Sequence, residues 1–431
     1  MVTERTAHVI VLGDLSRSPR ILSQAQFLSR DGWNVTISGY KSEMYVRFCS
    51  KHCRSRLILV QNPPGVPTFL IVWLFIKITG RSLVIDWHNY GYTLVELNAP
   101  KKSFFTRLYY ILEVDFAGCF LSRMSNRVAH LCVSKALKYD LKKKSIEGTV
   151  YYDRHPEEFK PTSVDIAHCL FLKLSDQYEV FRNKLDSRRF TRFTEVTALP
   201  TNTKNNEPHW RPNRPALVVS SCSWTPDDDF MLAIKALEIY DKAAQKPNSG
   251  LPSIVLAVTG RGPLQGYYKK LIKEQNWKHV EVIMLWLEWS DYPVFLGCAD
   301  LGLSIHRSSS GLDLPMKVVD LFGVNVPVLA LGYATLYELM EENKYGLCFE
   351  TAEQLANQMC DLLKPSCDST VQYINEPSRF LSVGSKELIR FRERLTERNK
   401  NLIGGFTYWK NTALPVYERA VHMNLCKNKD S

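Results

Sequence analysis

Apolar residues in this chain fall into short blocks that alternate between two periods. Val9–Leu12, Asn34–Gly39, Leu57–Val60, Leu83–Asp86, Arg127–Val133 and Thr149–Asp153 are strand-length runs. Between them, Ile21–Arg30, Val66–Thr79, Lys101–Arg123 and Lys135–Lys144 carry apolar residues at helical spacing. Short continuous apolar runs alternating with amphipathic helices predict a parallel sheet covered on both faces. From Phe159 the pattern decays, and Asp186–Arg214 is polar, with Pro200, Pro208 and Pro212.

A second series then begins. Ala216–Ser221, Ile254–Thr259, Val280–Leu285, Ala299–Ile305, Val326–Ala330 and Gly346–Phe349 are its strands. Phe230–Ala243, Leu264–Glu274, Ser290–Gly297, the stretch from Pro315 and Glu353–Leu363 are its helices. Ser385–Leu402 and Phe406–Ala420 read as helices of a charged tail. The expected fold class is therefore α/β, with two doubly wound, Rossmann-like domains facing across a cleft. The expected organisation is a first domain over 1–165, a linker over 166–214, a second domain over 215–385 and a helical tail over 386–431. One feature breaks the pattern. Only the 17 residues Tyr40–Arg56 separate the second strand from the third. A parallel crossover needs a dozen residues or more with a helix, so about one strand–helix unit is expected to be lacking here.

A length of 431 residues, 45% hydrophobic and 23% charged, is ordinary for a globular protein of two domains. The net charge of +11 favours anionic partners such as phosphates or an acidic membrane face. It is dispersed, and no nucleic-acid motif accompanies it, so no nucleic-acid partner is expected. The 11 cysteines lie at irregular spacings, several beside apolar runs, which fits buried thiols in a reducing compartment. Cys49, His52, Cys53 and His88 match no usual zinc spacing. No signal peptide opens the chain, and no run reaches the length of a spanning helix. Val66–Thr79 and Lys101–Arg123 have two readings, as core helices or as helices half-sunk in a membrane surface.

The candidate chemistry centres on His306–Gly323, HRSSSGLDLPMKVVDLFG. A strand, the small-residue loop Ser308, Ser309, Ser310, Gly311, and a helix with Pro315 in its first turn make an anion site. Lys317 can meet a phosphate there. Asp320, one turn on, can accept both hydroxyls of a ribose. Together they suit a nucleoside diphosphate. Gly260–Arg261–Gly262–Pro263 is a second strand-end loop, expected beside the first, so that Arg261 and Lys317 bracket the diphosphate and stabilise leaving-group charge without a metal. Asp227, Asp228 and Asp229 precede a helix and read as a cap, with a divalent cation as the competing reading. In the first domain, Asp86, His88 and Asn89 follow a strand, where α/β sheets place their ligands. The Gly13–Asp14 turn ends the first strand.

At this point the motifs become recognisable. VLGDLSRSPR, LVQNPPGVP, LVIDWHNYGY, VSSCSWTPDDDF, TGRGPL and SSSGLDLPMKVVDLFG together resemble the chitobiosyldiphosphodolichol β-mannosyltransferases. TGRGPL alone would indicate only the wider GT-B glycosyltransferase class. The resemblance spans roughly Val9–Phe349. It implies a GT-B fold, GDP-mannose as donor, inversion at the anomeric carbon and no metal cofactor. The acceptor would be chitobiosyl diphosphodolichol, at the cytosolic face of the endoplasmic reticulum membrane. The class pattern P-x-K-x-x-E falls on Pro315, Lys317 and Asp320, with Asp replacing Glu.

The expected roles follow. His88 removes the acceptor proton, supported by Asp86, with Asp14 as the rival base. Arg261, Gly262, Ser309, Ser310, Gly311, Lys317 and Asp320 bind the donor. Gly13, Arg17, Arg20 and Asn89 meet the acceptor and its phosphates. The membrane-spanning helix with which the family usually starts has no counterpart, so membrane contact would rest on Val66–Thr79 and Phe104–Phe120 or on partners, among them other glycosyltransferases of the pathway. A different nucleotide sugar, or an inactive nucleotide-binding scaffold, are the competing functions.

Overall fold

The computed structural model describes residues 5–15, 18–41, 44–47, 55–98, 103–183, 188–196, 207–365 and 384–427. The chain divides into two compact units. Unit 1 comprises 1–154, 308–314 and 403–431, and unit 2 comprises 155–307 and 315–402.

Unit 1 is built on β1 (Thr6–Asp14), α1 (Pro19–Arg30), β2 (Asn34–Lys41), β3 (Met44–Arg47), β4 (Leu57–Asn62), α2 (Thr68–Thr79), β5 (Ser82–Trp87), α3 (Gly91–Asn98), α4 (Phe104–Tyr110), β6 (Val128–Cys132), α5 (Lys135–Lys143) and β7 (Gly148–Val150). After α4 the helix continues in π-helical turns, Ile111–Asp115 and Ala117–Leu121. The sheet order is β3-β2-β1-β4-β5-β6-β7. Every residue of β5 is buried, as a strand covered on both faces requires. Alternate residues feed two cores. Val9 and Leu59 join the layer with α1, and Val60 and Ile85 join the layer with α2 and α5.

All pairings in this sheet are parallel except β2–β3, an antiparallel edge pair. That pair explains how the short Tyr40–Arg56 segment is accommodated. An antiparallel neighbour needs no crossover helix, so an edge strand stands where a further parallel strand and its helix were lacking. Residues 42–43 and 48–54 of that segment lie outside the described residues.

Unit 2 holds α6 (Val164–Ser175), β8 (Thr194–Val196), β9 (Pro208–Trp210), β10 (Ala216–Ser221), α7 (Phe230–Ala244), β11 (Ile254–Thr259), α8 (Gln265–Lys273), β12 (Val280–Leu285), α9 (Asp291–Gly297), β13 (Leu301–Ser304), α10 (Met316–Gly323), β14 (Val328–Leu331), β15 (Gly346–Phe349), α11 (Ala352–Leu363) and α12 (Lys386–Lys400). Its main sheet is wholly parallel, in the order β12-β11-β10-β13-β14-β15.

The division of the chain differs from the expected one in two places. The segment 166–214, expected as a linker, carries α6 and the β8–β9 hairpin within unit 2. Its aromatic residues pack together, with Phe171 stacked on Phe181 and Phe193, and Arg214 forms a buried bidentate pair with Asp300 at 2.7 Å per bond. The tail is divided too. Arg392 of α12 donates to the Ala299 and Asp300 carbonyls in unit 2. The last helix is two, α13 (Gly405–Thr412) and α14 (Leu414–Lys427), and both belong to unit 1. There Trp409 and Tyr417 are buried in the core, and the Ser82 hydroxyl donates to the Ala420 carbonyl.

Candidate active site

In unit 1 the strand order turns around between β1 and β4, so their carboxyl ends open a crevice. Asp14 ends β1 at a register shift, and Gly13 precedes it. Nothing lies within 4 Å of the place a Cβ would take on Gly13, so space is open there. Arg17 lies outside the described residues.

Asp86, at the end of β5, is buried and accepts from four groups. Arg20 of α1 donates Nε at 2.8 Å and Nη2 at 2.9 Å. Gln24 donates from its amide Nε2 at 2.5 Å, and His88 Nε2 stands 3.2 Å away. Burial alone would raise the Asp86 carboxyl, but Arg20 and His88 hold it well below the usual carboxylate range. A carboxylate only accepts, so Nε2 of His88 carries a proton. In the neutral ring Nδ1 is then the lone-pair nitrogen, the form a general base needs. Asp86 thus orients His88 from the core, while the imidazole remains 23% exposed.

Arg20 departs from its expected role. Its side chain is only 2% exposed, and besides Asp86 it binds Asp153 at 2.7 Å and lies over the Tyr151 ring. A guanidinium so enclosed and neutralised holds the site together and does not present itself to a lipid diphosphate. Asn89 also has internal partners: its amide donates to Ser309 Oγ at 3.0 Å, and its oxygen accepts from the Tyr90 N–H at 2.7 Å.

Ser309, Ser310 and Gly311 therefore group with unit 1, although the strand before them and the helix after them belong to unit 2. Thr93 also meets Ser309 at 2.9 Å, and Ser134 donates to the Leu312 carbonyl at 2.6 Å. Ser310 accepts from the Leu312 N–H. Sequence spacing missed Glu113. This buried carboxylate on the π-helical turn accepts from Asn62 Nδ2 at 2.9 Å, Gly91 N–H at 2.6 Å and Tyr92 N–H at 2.9 Å. It ties the loop after β4 to the loop that carries His88.

In unit 2 the order turns around between β10 and β13, and the ends of these strands meet through an Asp228–His306 bridge. Asp228 is buried. It accepts from Lys317 Nζ at 2.8 and 2.9 Å and from the Ser223 N–H at 2.5 Å, with His306 Nδ1 at 3.8 Å. Burial opposes its charge, yet His306 and Lys317 hold its carboxyl well below the usual range. His306 also lies 3.3 Å from Asp227.

The three aspartates have separated roles. Asp229 caps α7 by accepting from the Leu232 N–H, as the capping reading expected. Asp227, Asp228 and His306 bring donor atoms within 4.8 Å of one another, the geometry of the competing cation reading. The Lys317 ammonium already occupies both Asp228 oxygens, so a divalent cation would stand beside a positive charge.

Pro315 is the residue before α10 rather than its first turn. Lys317 and Asp320 are both half-buried and one turn apart on α10. Arg261 is exposed, with its guanidinium 3.9 Å from the centre of the Trp286 ring. The loop after β11 and the strand β13 are not neighbours as expected, because β10 lies between them. What the β11 loop does touch is the β10 loop. A Cβ on Gly260 would stand 2.2 Å from the Cys222 carbonyl oxygen, and one on Gly262 would stand 1.8 Å from that of Ser223. Only glycine permits this approach.

The fold of two doubly wound units is shared with solved glycosyltransferases. HepE from Anabaena, solved in complex with UDP, is similar over 94% of this chain and 98% of its own, with a TM-score of 0.57 and 14% identity. The lipopolysaccharide glycosyltransferase WaaG is similar over 97% and 98%, with a TM-score of 0.53 and 12% identity. No family model matches the chain. The mouse chitobiosyldiphosphodolichol beta-mannosyltransferase is 34% identical over 463 residues, covering 96% of this chain and 90% of that protein. The chain belongs to the chitobiosyldiphosphodolichol beta-mannosyltransferases. As a member of this family it is a hexosyltransferase of GT-B fold. The UDP-glycosyltransferase TURAN of Arabidopsis thaliana is a further relative, 35% identical over 84% of this chain and 90% of its own.

Proposed function

We propose that this protein transfers mannose from GDP-mannose to chitobiosyl diphosphodolichol, with inversion at the anomeric carbon and without a metal. The observation that carries the reading is family membership over nearly the whole chain. In this reading the dolichol-linked acceptor is met at the endoplasmic reticulum membrane, on its cytosolic face.

Donor binding is assigned to unit 2. Lys317 is held by Asp228 with two of its three N–H groups and offers the third to the diphosphate. Asp320 accepts from the ribose hydroxyls, and exposed Arg261 meets the phosphates from the β11 loop. Proton removal is assigned to His88 of unit 1. In a single displacement the acceptor hydroxyl attacks mannose C1, the bond from C1 to the β-phosphate oxygen breaks, and the hydroxyl proton passes to His88 Nδ1. Lys317 stabilises the charge that develops on the departing GDP. Asp14 is the second acceptor-side carboxylate, at the open end of β1.

A second donor is favoured by one specific observation: the Arabidopsis thaliana relative is named as a UDP-glycosyltransferase. Calorimetric titration with GDP and UDP separates the two. The reading expects tight GDP binding and weak UDP binding. The reverse preference would replace GDP-mannose with a uridine diphosphate sugar.

A further inference from the structure

Helix α2 of unit 1, TFLIVWLFIKIT, contains one charge in its whole length. Its inner face, Phe69, Val72 and Ile76, is buried in the core. Its outer face is just as apolar and faces solvent: Leu70, Ile71, Leu74, Phe75 and Ile78 are all exposed, Ile78 to 83%. A helix apolar on every side is normally enclosed by protein or by lipid. Helix α4 repeats the arrangement, with Phe104 and Phe105 at 74% and 75% exposure and Leu108, Ile111 and Leu112 beyond them. Leu94 and Leu97 of α3 are exposed as well.

These helices form one surface. Trp73 of α2 packs edge-on against Phe116 and Phe120 of the α4 extension, with ring centres 5.6 and 5.8 Å apart. Tyr92 of α3 meets Tyr110 of α4 at 5.0 Å. A contiguous apolar patch of this kind marks an interaction surface rather than ordinary exposed residues.

The charges around the patch identify the partner. Lys77 lies over the Trp73 ring at 4.5 Å and Arg81 over Phe75 at 5.1 Å. Each stretches an aliphatic stem along apolar surface and keeps its charge at the edge, the posture of a side chain at a lipid interface. At the far end of the α4 extension, Arg123, Lys143 and Lys144 line a cavity of about 450 Å³ with Asp115 and Tyr110. Lys144 is paired with Asp140, and Asp115 offsets one further cation, so Arg123 and Lys143 leave a single net positive charge there. A second copy of this chain would set cation against cation. Anionic headgroups complement both the apolar centre and the basic rim.

We propose that the outer face of α2, α3 and α4 seats this protein on an anionic lipid bilayer, with Ile71, Ile78, Phe104 and Phe105 entering the acyl boundary. The proposal deepens the membrane association in the functional reading. It needs no spanning segment: among the described residues no helix is long and apolar enough to cross a membrane.

The test is flotation of the full chain with vesicles of phosphatidylcholine, with and without phosphatidylserine. The Ile71→Glu/Ile78→Glu variant should lower partitioning at least tenfold, since withdrawing one apolar side chain from lipid is worth about that factor. Phe104→Ser/Phe105→Ser, on a different helix, should lower it similarly. Arg81→Gln/Arg123→Gln should abolish the gain from phosphatidylserine and leave binding to phosphatidylcholine alone unchanged. Both apolar variants should keep the wild-type melting temperature and the wild-type transfer rate on a detergent-dispersed acceptor. Unchanged partitioning in both apolar variants would overturn the proposal. So would a wild-type chain that ignores vesicles but forms dimers that the same substitutions break. The vesicle measurement uses no substrate, so it stands apart from the outcome of any transfer assay.

Discussion

Arg20 holds both carboxylate oxygens of Asp86, with Nε and Nη2 at 2.8 and 2.9 Å, inside the core of unit 1. The pair joins the first helix to the strand that carries His88. Asp86→Asn leaves the buried guanidinium with Asp153 alone. Breaking a buried pair costs roughly 3–5 kcal/mol, and the retained Asp153 contact puts this one at the lower end. Urea unfolding of the variant should show that loss.

The same carboxylate gives stability a pH dependence of known sign. Its folded-state pKa is lowered, so its contribution is present above the unfolded value, about 4, and is lost as the pH falls below it. Wild-type stability should fall steadily from about pH 4 downward. Asp86→Asn should flatten that slope, though not remove it, because Asp228 is shifted in the same direction. A variant with the wild-type slope would show that Asp86 is not held as described.

Lys317 and Asp228 make the corresponding pair in unit 2. Lys317→Met removes the ammonium and leaves a buried carboxylate with His306 and the Ser223 N–H. Nucleotide affinity should drop at least about tenfold, the scale of one charge-assisted contact of 1.5–3 kcal/mol. Calorimetric titration with GDP measures it directly. Unchanged affinity would remove Lys317 from the donor site.

Two glycines separate close approach from mere flexibility. Gly262→Ala forces a methyl group against the Ser223 carbonyl, 1.8 Å away, and backbone cannot yield cheaply. The cost should be about 1–3 kcal/mol, the range for overpacking, with weakened nucleotide binding. Gly266, in α8, has nothing within 4 Å of a new Cβ. Gly266→Ala should be neutral or stabilise by up to about 1 kcal/mol. Thermal melts of the two variants give the comparison.

Most of the sheet was legible in the sequence because buried parallel strands announce themselves as unbroken apolar runs. LVVSS, IVLAVT and LVID each fall inside an observed strand. What failed was anything that depended on distant partners. Arg20 reads as a free cation until Asp86 and Asp153, 66 and 133 residues away, are seen to enclose it. Lys317 and Asp228 are 89 residues apart, and no local spacing pairs them. Ser309 sits just after a unit 2 strand in sequence but takes its partners, Asn89 and Thr93, from unit 1. The 166–214 segment reads as a linker because Asp186–Arg214 is polar and broken by prolines, yet Phe171, Phe181 and Phe193 form a compact stack. His88 with Asp86 was found because both lie at one strand end, two residues apart.

The most direct test of the account is mannose transfer by the purified chain. Labelled GDP-mannose and a chitobiosyl diphosphate lipid are supplied, with and without EDTA, to wild type and to His88→Ala. The account predicts transfer by the wild type that survives EDTA. It predicts a loss of about 10²–10⁴-fold in His88→Ala, the usual contribution of a general base, with GDP binding retained. A wild-type chain that binds GDP and transfers no mannose would contradict the account and favour an inactive nucleotide-binding scaffold.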